Sequence, residues 1–299
     1  MIQISYSDKF VLPLPEGHKF PMLKYELIRD QLLYEGTASS NHFFCPEMCP
    51  EEIITLTHAS SYLHKLRAHE LSEMEIRKIG FPFSDILVNR CLTSTQGTIT
   101  CALKALDYGI SLNTAGGTHH AFSNRAEGFC IFNDIAVAAN YLLSQHLCNK
   151  ILVIDLDVHQ GNGTAHIFNG SDAVFTFSMH GKDNYPLKKE VSDLDIELRN
   201  FMTDNEYLAL VNYHVPHLLN TVKPDIVFYQ AGVDILNTDK LGKLSVTKQG
   251  CKQRDEIVIE NCKKLEIPLV VTMGGGYSEQ IKDTVDAHCN TFRTAFEIW

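Results

Sequence analysis

The sequence predicts an α/β protein, a three-layer αβα sandwich in which helices cover both faces of a mostly parallel sheet. Two observations lead to this fold class. Five short apolar runs of strand length recur along the chain, and amphipathic segments long enough for crossover helices lie between several of them. Strands that alternate with helices in this way form a parallel sheet with right-handed crossovers.

In chain order, the N-terminal third is the least regular part, a loop followed by a helix that begins after Pro21. Strands are predicted at residues 110–117, 151–157, 173–179, 225–232 and 267–276. Crossover helices are predicted at residues 133–145, 205–219 and 248–265. Residues 181–198 are polar without a clear period, which is typical of a surface loop beside a site.

Composition favours a single domain that covers residues 1–299. The chain is 44% hydrophobic, and no Pro-, Ser- or charge-rich stretch marks a linker. Its net charge of −10 and pI near 5.7 argue against a general nucleic-acid or anionic-membrane surface. No apolar run approaches the roughly eighteen residues that a membrane span requires.

The cysteines and the N-terminus indicate a reducing compartment. Nine scattered cysteines do not resemble a disulfide framework, and the first ten residues lack the form of a signal peptide. We therefore expect the cytoplasm, with the nucleus as the alternative for a eukaryotic source. Cys45 and Cys49 have no second matched pair, so the spacing argues against a structural zinc site there.

The most informative stretch is ILVIDLDVHQGNG, residues 151–163. Asp155, Asp157 and His159 follow an i, i+2, i+4 spacing, which places their side chains on one side of a strand. Open α/β sheets bind ligands at the carboxyl ends of their strands, where these three residues lie. A strand-end Asp also caps helices, and a lone His is often a core residue, so a metal site requires further ligands.

Asp234 is the further ligand, because it lies just beyond the apolar run 225–232 and at the same sheet edge. Asp157, His159 and Asp234 would hold a divalent cation and leave positions open for water and substrate, as in catalytic sites. Zinc fits best, and Fe(II) is the alternative, because two carboxylates and one imidazole discriminate weakly between them. Such an ion acidifies water and polarises a carbonyl.

Three further side chains supply the rest of the predicted chemistry. His119 and His120 follow the strand at 110–117 and would transfer protons. On a regular strand they would point to opposite faces, but a glycine-led turn removes this objection. Tyr277 follows three glycines, and its phenol would donate a hydrogen bond to a developing oxyanion rather than only pack at the rim.

The motifs GGTHHA, GFCIFND, DLDVHQGNG, SMH, AGVDIL and GGGY, in this order, resemble those of the zinc-dependent histone deacetylase family. That family has the arginase/deacetylase fold. The resemblance extends from LPEGHKFP near residue 14 to Tyr277 and so covers nearly the whole chain. The stretch from AGVDIL to QRDEIV is most similar to the class IV branch and its bacterial relatives.

The resemblance implies a role for each of these positions. The zinc ligands would be Asp157, His159 and Asp234, and Tyr277 would stabilise the tetrahedral oxyanion. His120 would be the general base and His119 its electrostatic or acid partner, oriented by Asp155. Asn162 stands behind His120 where class I relatives carry an Asp, which implies altered proton-transfer tuning, because an amide stabilises imidazolium less than a carboxylate does.

The resemblance also implies two further sets of residues. A structural potassium or sodium ion would bind partly through backbone oxygens of Asp155, Asp157, His159, Ser178 and Met179. The walls and rim of an acyl-lysine tunnel would be formed by Gly128, Phe129, Tyr185, Leu241 and Gly275. For Tyr185 and Leu241, ordinary packing is an equal alternative.

The implied activity is hydrolysis of an N-acyl amide, with removal of acetyl or longer groups from lysine ε-amines in proteins such as histones. Acetylpolyamines or other small acylated amines are the alternative substrates. A metal-binding interaction module without turnover would not require His119, His120 and Tyr277. An arginase-type enzyme needs DxHxD for two metals, and Gly161 takes the place of its last Asp. Natural substrate, acyl length and oligomeric state stay open.

Overall fold

The computed structural model describes residues 1–299 and is built around one eight-stranded sheet. The strands are β1 (Gln3–Ser5), β2 (Phe43–Phe44), β3 (Ile110–Asn113), β4 (Ile151–Asp155), β5 (Val174–Gly181), β6 (Leu194–Leu198), β7 (Ile226–Gln230) and β8 (Leu269–Thr272). Their order across the sheet is β2-β1-β3-β8-β7-β4-β5-β6, and every pairing is parallel.

Ten α-helices surround the sheet. They are α1 (Lys24–Tyr34), α2 (Glu51–Ile54), α3 (Ser60–Arg67), α4 (Glu73–Ile79), α5 (Asp85–Tyr108), α6 (Asp134–Ser144), α7 (Asn162–Phe168), α8 (Asp204–Val222), α9 (Lys248–Lys264) and α10 (Ile281–Ile298). None of them is long and apolar enough to cross a membrane.

The sheet separates two hydrophobic cores, because successive side chains of a strand point to opposite faces. Leu152 and Ile154 of β4 pack into the core that α1, α8, α9 and α10 cover, whereas Ile151 and Val153 pack into the core beneath α3, α5 and α6. Full burial of such a side chain stabilises the fold by about 1.5–3 kcal/mol. A strand buried on both faces is uniformly apolar, as the run before Asp155 is.

The predicted αβα sandwich is confirmed, and the sheet is entirely rather than mostly parallel. The five predicted strands correspond to β3, β4, β5, β7 and β8, and the three predicted crossover helices to α6, α8 and α9. The sequence patterns did not reveal the very short β1 and β2. The 24-residue α5, which packs against α6 and β3, was also not predicted.

The prediction of a loop over residues 181–198 is wrong at its end, because Leu194–Leu198 form β6. β6 pairs only with β5 and forms an edge of the sheet. Its sequence LDIEL alternates apolar and polar residues, as expected of a strand with one partly solvated face. The surrounding polar residues masked this short alternation.

The register of the central strands places four carboxyl ends side by side. Asp155 of β4 pairs with Gln230 of β7, which pairs with Thr272 of β8, and Thr272 pairs with Asn113 of β3. The segments that leave these four strands therefore begin at the same edge of the sheet. They carry the side chains of the predicted site.

Candidate active site

Asp157, His159 and Asp234 form a compact group of donors at this edge. Each side chain is buried and offers one ligand atom, and these atoms lie within 4.8 Å of one another. Nδ1 of His159 lies 3.2 Å from Oδ1 of Asp157 and 3.0 Å from Oδ2 of Asp234. No other group of three or more His, Cys, Asp or Glu side chains meets this criterion in the chain, and Cys45 and Cys49 belong to none.

The electrostatics of this group favour a cation. Burial lowers the pKa of His159, but hydrogen bonds to the two carboxylates outweigh burial and raise it to about 10. Burial, and then the charge of Asp157, raises the pKa of Asp234 to about 7. The raised pKa of His159 shows that this buried group attracts positive charge. Its donors are one imidazole nitrogen and two carboxylate oxygens, a set that fits zinc or another divalent ion.

Glycines let the backbone approach the two carboxylates. The N–H of Gly275 donates to Oδ2 of Asp157 at 2.7 Å, and a Cβ on Gly275 would lie 2.0 Å from Oδ2 of Asp234. A Cβ on Gly232 would lie 2.2 Å from Oδ2 of Asp157. Both glycines are therefore required by close packing around the donors, and the donors are oriented by the backbone of the loop after β8.

The loop that carries the two histidines is anchored by Asp134, the first residue of α6. Its carboxylate accepts hydrogen bonds from the N–H groups of Gly117 and Thr118 at 3.0 and 2.7 Å. Gly116 and Gly117 have φ of +80° and +75°, a left-handed conformation that favours glycine. This turn ends the strand geometry before the histidines, so both rings reach the same side.

The ring of His119 is held by a carboxylate. Its Nδ1 lies 2.7 Å from Oδ2 of Asp155, and its Nε2 lies 4.0 Å from Oδ1 of Asp157. Burial lowers the pKa of His119, but the charges of Asp155 and Asp157 outweigh burial and raise it to about 9. His119 is thus an imidazolium at neutral pH.

The ring of His120 is held by an amide. Its Nδ1 lies 2.7 Å from Oδ1 of Asn162. An amide oxygen only accepts, so Nδ1 carries the ring hydrogen and Nε2 keeps its lone pair. Burial, and then the positive charges of His119 and His159, lowers the pKa of His120 well below its ordinary value. His120 is therefore neutral and able to accept a proton.

Tyr277 lines the same chamber as the two histidines. Its backbone N–H donates to Oδ2 of Asp239, and its ring packs edge-on against His159, with centroids 6.4 Å apart. The hydroxyl has no hydrogen-bond partner within the chain and is available to a substrate oxygen. Burial, and then the charge of Asp234, raises its pKa, so the phenol stays protonated.

Gly161 lies where the two-metal DxHxD pattern has its last Asp, and a side chain at this position is crowded. A Cβ at this position would lie 2.3 Å from Oδ2 of Asp155, the atom that binds His119. A carboxylate side chain there would displace Asp155. The sequence lacks the last Asp of the DxHxD pattern, and the space at position 161 is taken up by the side chain of Asp155.

A cavity of about 400 Å³ opens from these groups to the surface. It is lined by Lys78, His120, Glu127, Gly128, Phe129, His159, Tyr185, Leu241 and Tyr277. An inner chamber of about 40 Å³ shares five of these residues and also touches His119, Asp157 and Gly275. Gly128, Phe129, Tyr185 and Leu241 line the outer cavity, and Gly275 lies at the inner chamber. Their role in an acyl-lysine tunnel stays a prediction.

Phe129 forms an apolar wall and is held in an unusual conformation. Its φ is +68°, in the left-handed region that non-glycine residues rarely adopt. Its N–H donates to the carbonyl of Ile79 at 2.8 Å, and its ring packs against Phe20 and Phe81. These contacts fix the aromatic ring at the cavity.

Two residues that the sequence did not single out shape the mouth of the cavity. Glu127 accepts a hydrogen bond from the hydroxyl of Tyr185 at 2.9 Å and pairs with Arg125 at 2.8 Å. Asp239 accepts from the N–H groups of Leu241 and Gly242 as well as Tyr277, and so fixes the Leu241 loop. Of the two, only Glu127 could have been noticed in the sequence, because it directly precedes the GFC motif.

The residues predicted to hold a monovalent cation lie together. The pairing of β4 with β5 places Asp155 opposite Ser178, and Met179 follows within β5. All five residues of the set are buried. The hydroxyl of Ser178 contacts Nδ1 of His180 at 2.9 Å.

The chain is similar to known proteins over nearly its whole length. Residues 18–292 match the histone deacetylase domain. The chain is 41% identical over 296 residues to an uncharacterized protein of Picosynechococcus sp., with 99% of each chain covered. It is 30% identical over 302 residues to histone deacetylase 1 of Homo sapiens, covering 94% of this chain and 61% of that protein.

Solved structures share the fold. A histone deacetylase homologue complexed with SAHA superimposes with a TM-score of 0.84 at 22% identity, covering 100% of this chain and 84% of the other. The HD domain of HDA15 superimposes with a TM-score of 0.82 at 18% identity, covering 99% of this chain and 88% of that one.

Proposed function

Since the chain belongs to the histone deacetylase family, and is therefore a hydrolase of amide bonds, we propose that it removes an acyl group from the ε-amine of lysine in a protein or peptide. The observation that carries this proposal is the convergence of a neutral His120, an unpartnered Tyr277 hydroxyl and the donors Asp157 and His159 in the lining of one chamber, with Asp234 3.0 Å from His159. An amide carbonyl that enters the cavity meets all three.

A divalent cation bound by Asp157, His159 and Asp234, zinc in this family, would polarise the acyl carbonyl and acidify water. Nε2 of His120 accepts the proton of the attacking water as its oxygen forms the new bond to the carbonyl carbon. The hydroxyl of Tyr277 donates to the carbonyl oxygen as negative charge develops there.

The histidine pair then serves the leaving group. When the C–N bond breaks, the amine nitrogen takes up a proton, and the imidazolium ions of the pair are the donors at hand. Asp155 keeps His119 in its charged form, and Asn162 lets His120 return to the neutral form. We also propose that a potassium or sodium ion at the Asp155–Ser178 set offsets the clustered carboxylates.

The charges at the mouth favour acyl-lysine over an acylpolyamine. The charged groups that line the outer cavity are Lys78 and Glu127, and Glu127 is already paired with Arg125. A polyamine brings further ammonium groups, which need unpaired carboxylates for binding. The small inner chamber favours a short acyl group such as acetyl over a fatty chain.

Turnover of a panel of substrates tests this proposal. Peptides with acetyl-lysine or longer acyl-lysines, together with acetylpolyamines, are compared on the purified protein while bound metal is quantified. We expect the acetyl-lysine peptide to have the highest kcat/KM. A higher kcat/KM for an acylpolyamine would reverse the substrate assignment, and bound zinc without turnover of any substrate would indicate an interaction module.

Tyr277→Phe tests the catalytic step. We expect the variant to bind metal normally and to lose about 10²–10³-fold in kcat, the usual cost of losing an oxyanion donor. Tyr213→Phe, at an exposed tyrosine of α8, is the matched control and should be unaffected. Near-normal turnover of Tyr277→Phe would contradict the role of the phenol.

A further inference from the structure

Arg254 is a fully buried arginine in α9 that lies directly behind the donor set. Its side chain has 0% exposure and is absent from the lining of the cavity. Nη1 donates to the carbonyl of Gly232 at 2.5 Å and contacts that of Leu156 at 3.5 Å, and Nη2 contacts that of Ala231 at 3.4 Å. One guanidinium thus spans three backbone carbonyls.

These carbonyls occupy a particular place in the sheet. Leu156 is the first residue beyond β4, and Ala231 and Gly232 are the first two beyond β7. Leu156 precedes Asp157, Gly232 packs against the carboxylate of Asp157, and Asp234 follows two residues after Gly232. Buried carbonyls beyond the end of a strand need other donors, and Arg254 supplies them to both segments that bear the metal donors.

A buried network keeps the guanidinium in place. Asp255 lies 2.9 Å from Nε and 2.8 Å from Nη2 of Arg254. The same carboxylate accepts hydrogen bonds from the hydroxyls of Tyr229 and Thr291 at 2.5 and 2.7 Å. Asp255 therefore balances the buried charge through Nε and one N–H of Nη2, and leaves Nη1 and the second N–H of Nη2 to bind the carbonyls.

We infer that Arg254, held by Asp255, is a positioning residue that sets the separation of Asp157, His159 and Asp234 and thereby the affinity for the divalent ion. This inference rests on the proposed metal-dependent function. Arg254 acts through the backbone of both strand ends and touches neither substrate nor metal. Residues behind metal ligands commonly change metal affinity or activity by about 10–100-fold when replaced.

Arg254→Lys is the first test, because it keeps the charge and most of the volume but loses the planar fork. Zinc affinity is measured by competition with a chelator, and the visible spectrum of the cobalt-substituted protein reports ligand geometry. We expect zinc affinity about tenfold lower or weaker still, an altered cobalt spectrum, and a fall in kcat with KM nearly unchanged. The matched control is Arg293→Lys on α10, which weakens the ion pairs of Arg293 with Glu35 and Asp286. This variant should keep its zinc affinity.

The outcomes separate this inference from the proposed function. A folded Arg254→Lys with unchanged zinc affinity and cobalt spectrum would overturn the inference while leaving the function intact. If unaltered protein bound no zinc, the proposed function itself would fail. Should Arg254→Lys not fold, Tyr229→Phe removes one hydrogen bond to Asp255 at nearly constant volume and is expected to lower zinc affinity in the same direction. Unchanged affinity in that variant would equally overturn the inference.

Discussion

His119 and His120 are adjacent in the sequence, and their ring centroids lie 4.2 Å apart. In both, Nδ1 lies 2.7 Å from a side-chain oxygen, which belongs to Asp155 for His119 and to Asn162 for His120. Yet the pKa of His119 is raised to about 9 and that of His120 falls well below its ordinary value.

The two rings therefore make hydrogen bonds of equal length, although His119 is protonated and His120 is neutral. Both rings are buried, and burial lowers the pKa of each, so burial does not distinguish them. The main difference is the negative charge near each ring, since the carboxylates of Asp155 and Asp157 stabilise the imidazolium of His119 more than the amide of Asn162 stabilises that of His120. His119, once charged, further disfavours a proton on His120. A single pair of neighbours thereby provides both a cationic acid and a neutral base at one pH.

Removal of the base should have the largest effect. His120→Gln eliminates the ring nitrogen that accepts the proton of water, and we expect kcat to fall about 10²–10⁴-fold. Metal content should be unchanged. His166→Gln, at a half-exposed histidine of α7, is the control. A variant that retained a tenth of the activity would show that His120 is not the main base.

Asp155→Asn should have an intermediate effect, because it gives His119 an amide partner like the one that His120 has. Loss of the carboxylate lowers the pKa of His119, so the imidazolium is lost at lower pH. We expect kcat at neutral pH to fall about 10–100-fold and the alkaline limb of the pH–rate profile to move to lower pH. An alkaline limb that stayed in place would argue that His119 is not required in its charged form.

Asn162→Asp should have the smallest effect on maximal kcat and the clearest effect on its pH dependence. A carboxylate behind His120 stabilises the imidazolium and raises the pKa of His120. The base must be neutral, so activity on the acid side is lost at higher pH, and the acid limb moves upward. Maximal kcat should change only a few-fold. If neither limb moved, Asn162 would have no role in tuning the proton transfer.

Local patterns in the sequence predicted the strand with its i, i+2, i+4 carboxylates and histidine, because an uninterrupted apolar run places such side chains at a sheet edge. The glycines before Tyr277 gave a comparable signal. Arg254 gave none, since a charged residue in the polar stretch KQGCKQRDE is typical of an exposed helix face. Its burial depends on contacts with residues about 20 to 100 positions away along the chain. Glu127 likewise acquires its partner Tyr185 only through folding.

The class IV likeness suggested by the sequence stays a prediction, because residues 18–292 match the histone deacetylase domain as a whole and this match does not assign a branch. The fold and the family do not distinguish the branches.

The close approach of Gly161 to Asp155 has an evolutionary consequence. An aspartate for a second metal at position 161 would require the side chain of Asp155 to move, because its Cβ would lie 2.3 Å from Oδ2 of Asp155. A lineage that moved toward a two-metal site would first have to give up the partner of His119, and with it much of the existing activity. The two chemistries are therefore separated by an intermediate of lower activity, and descent through single substitutions would have to follow a particular order.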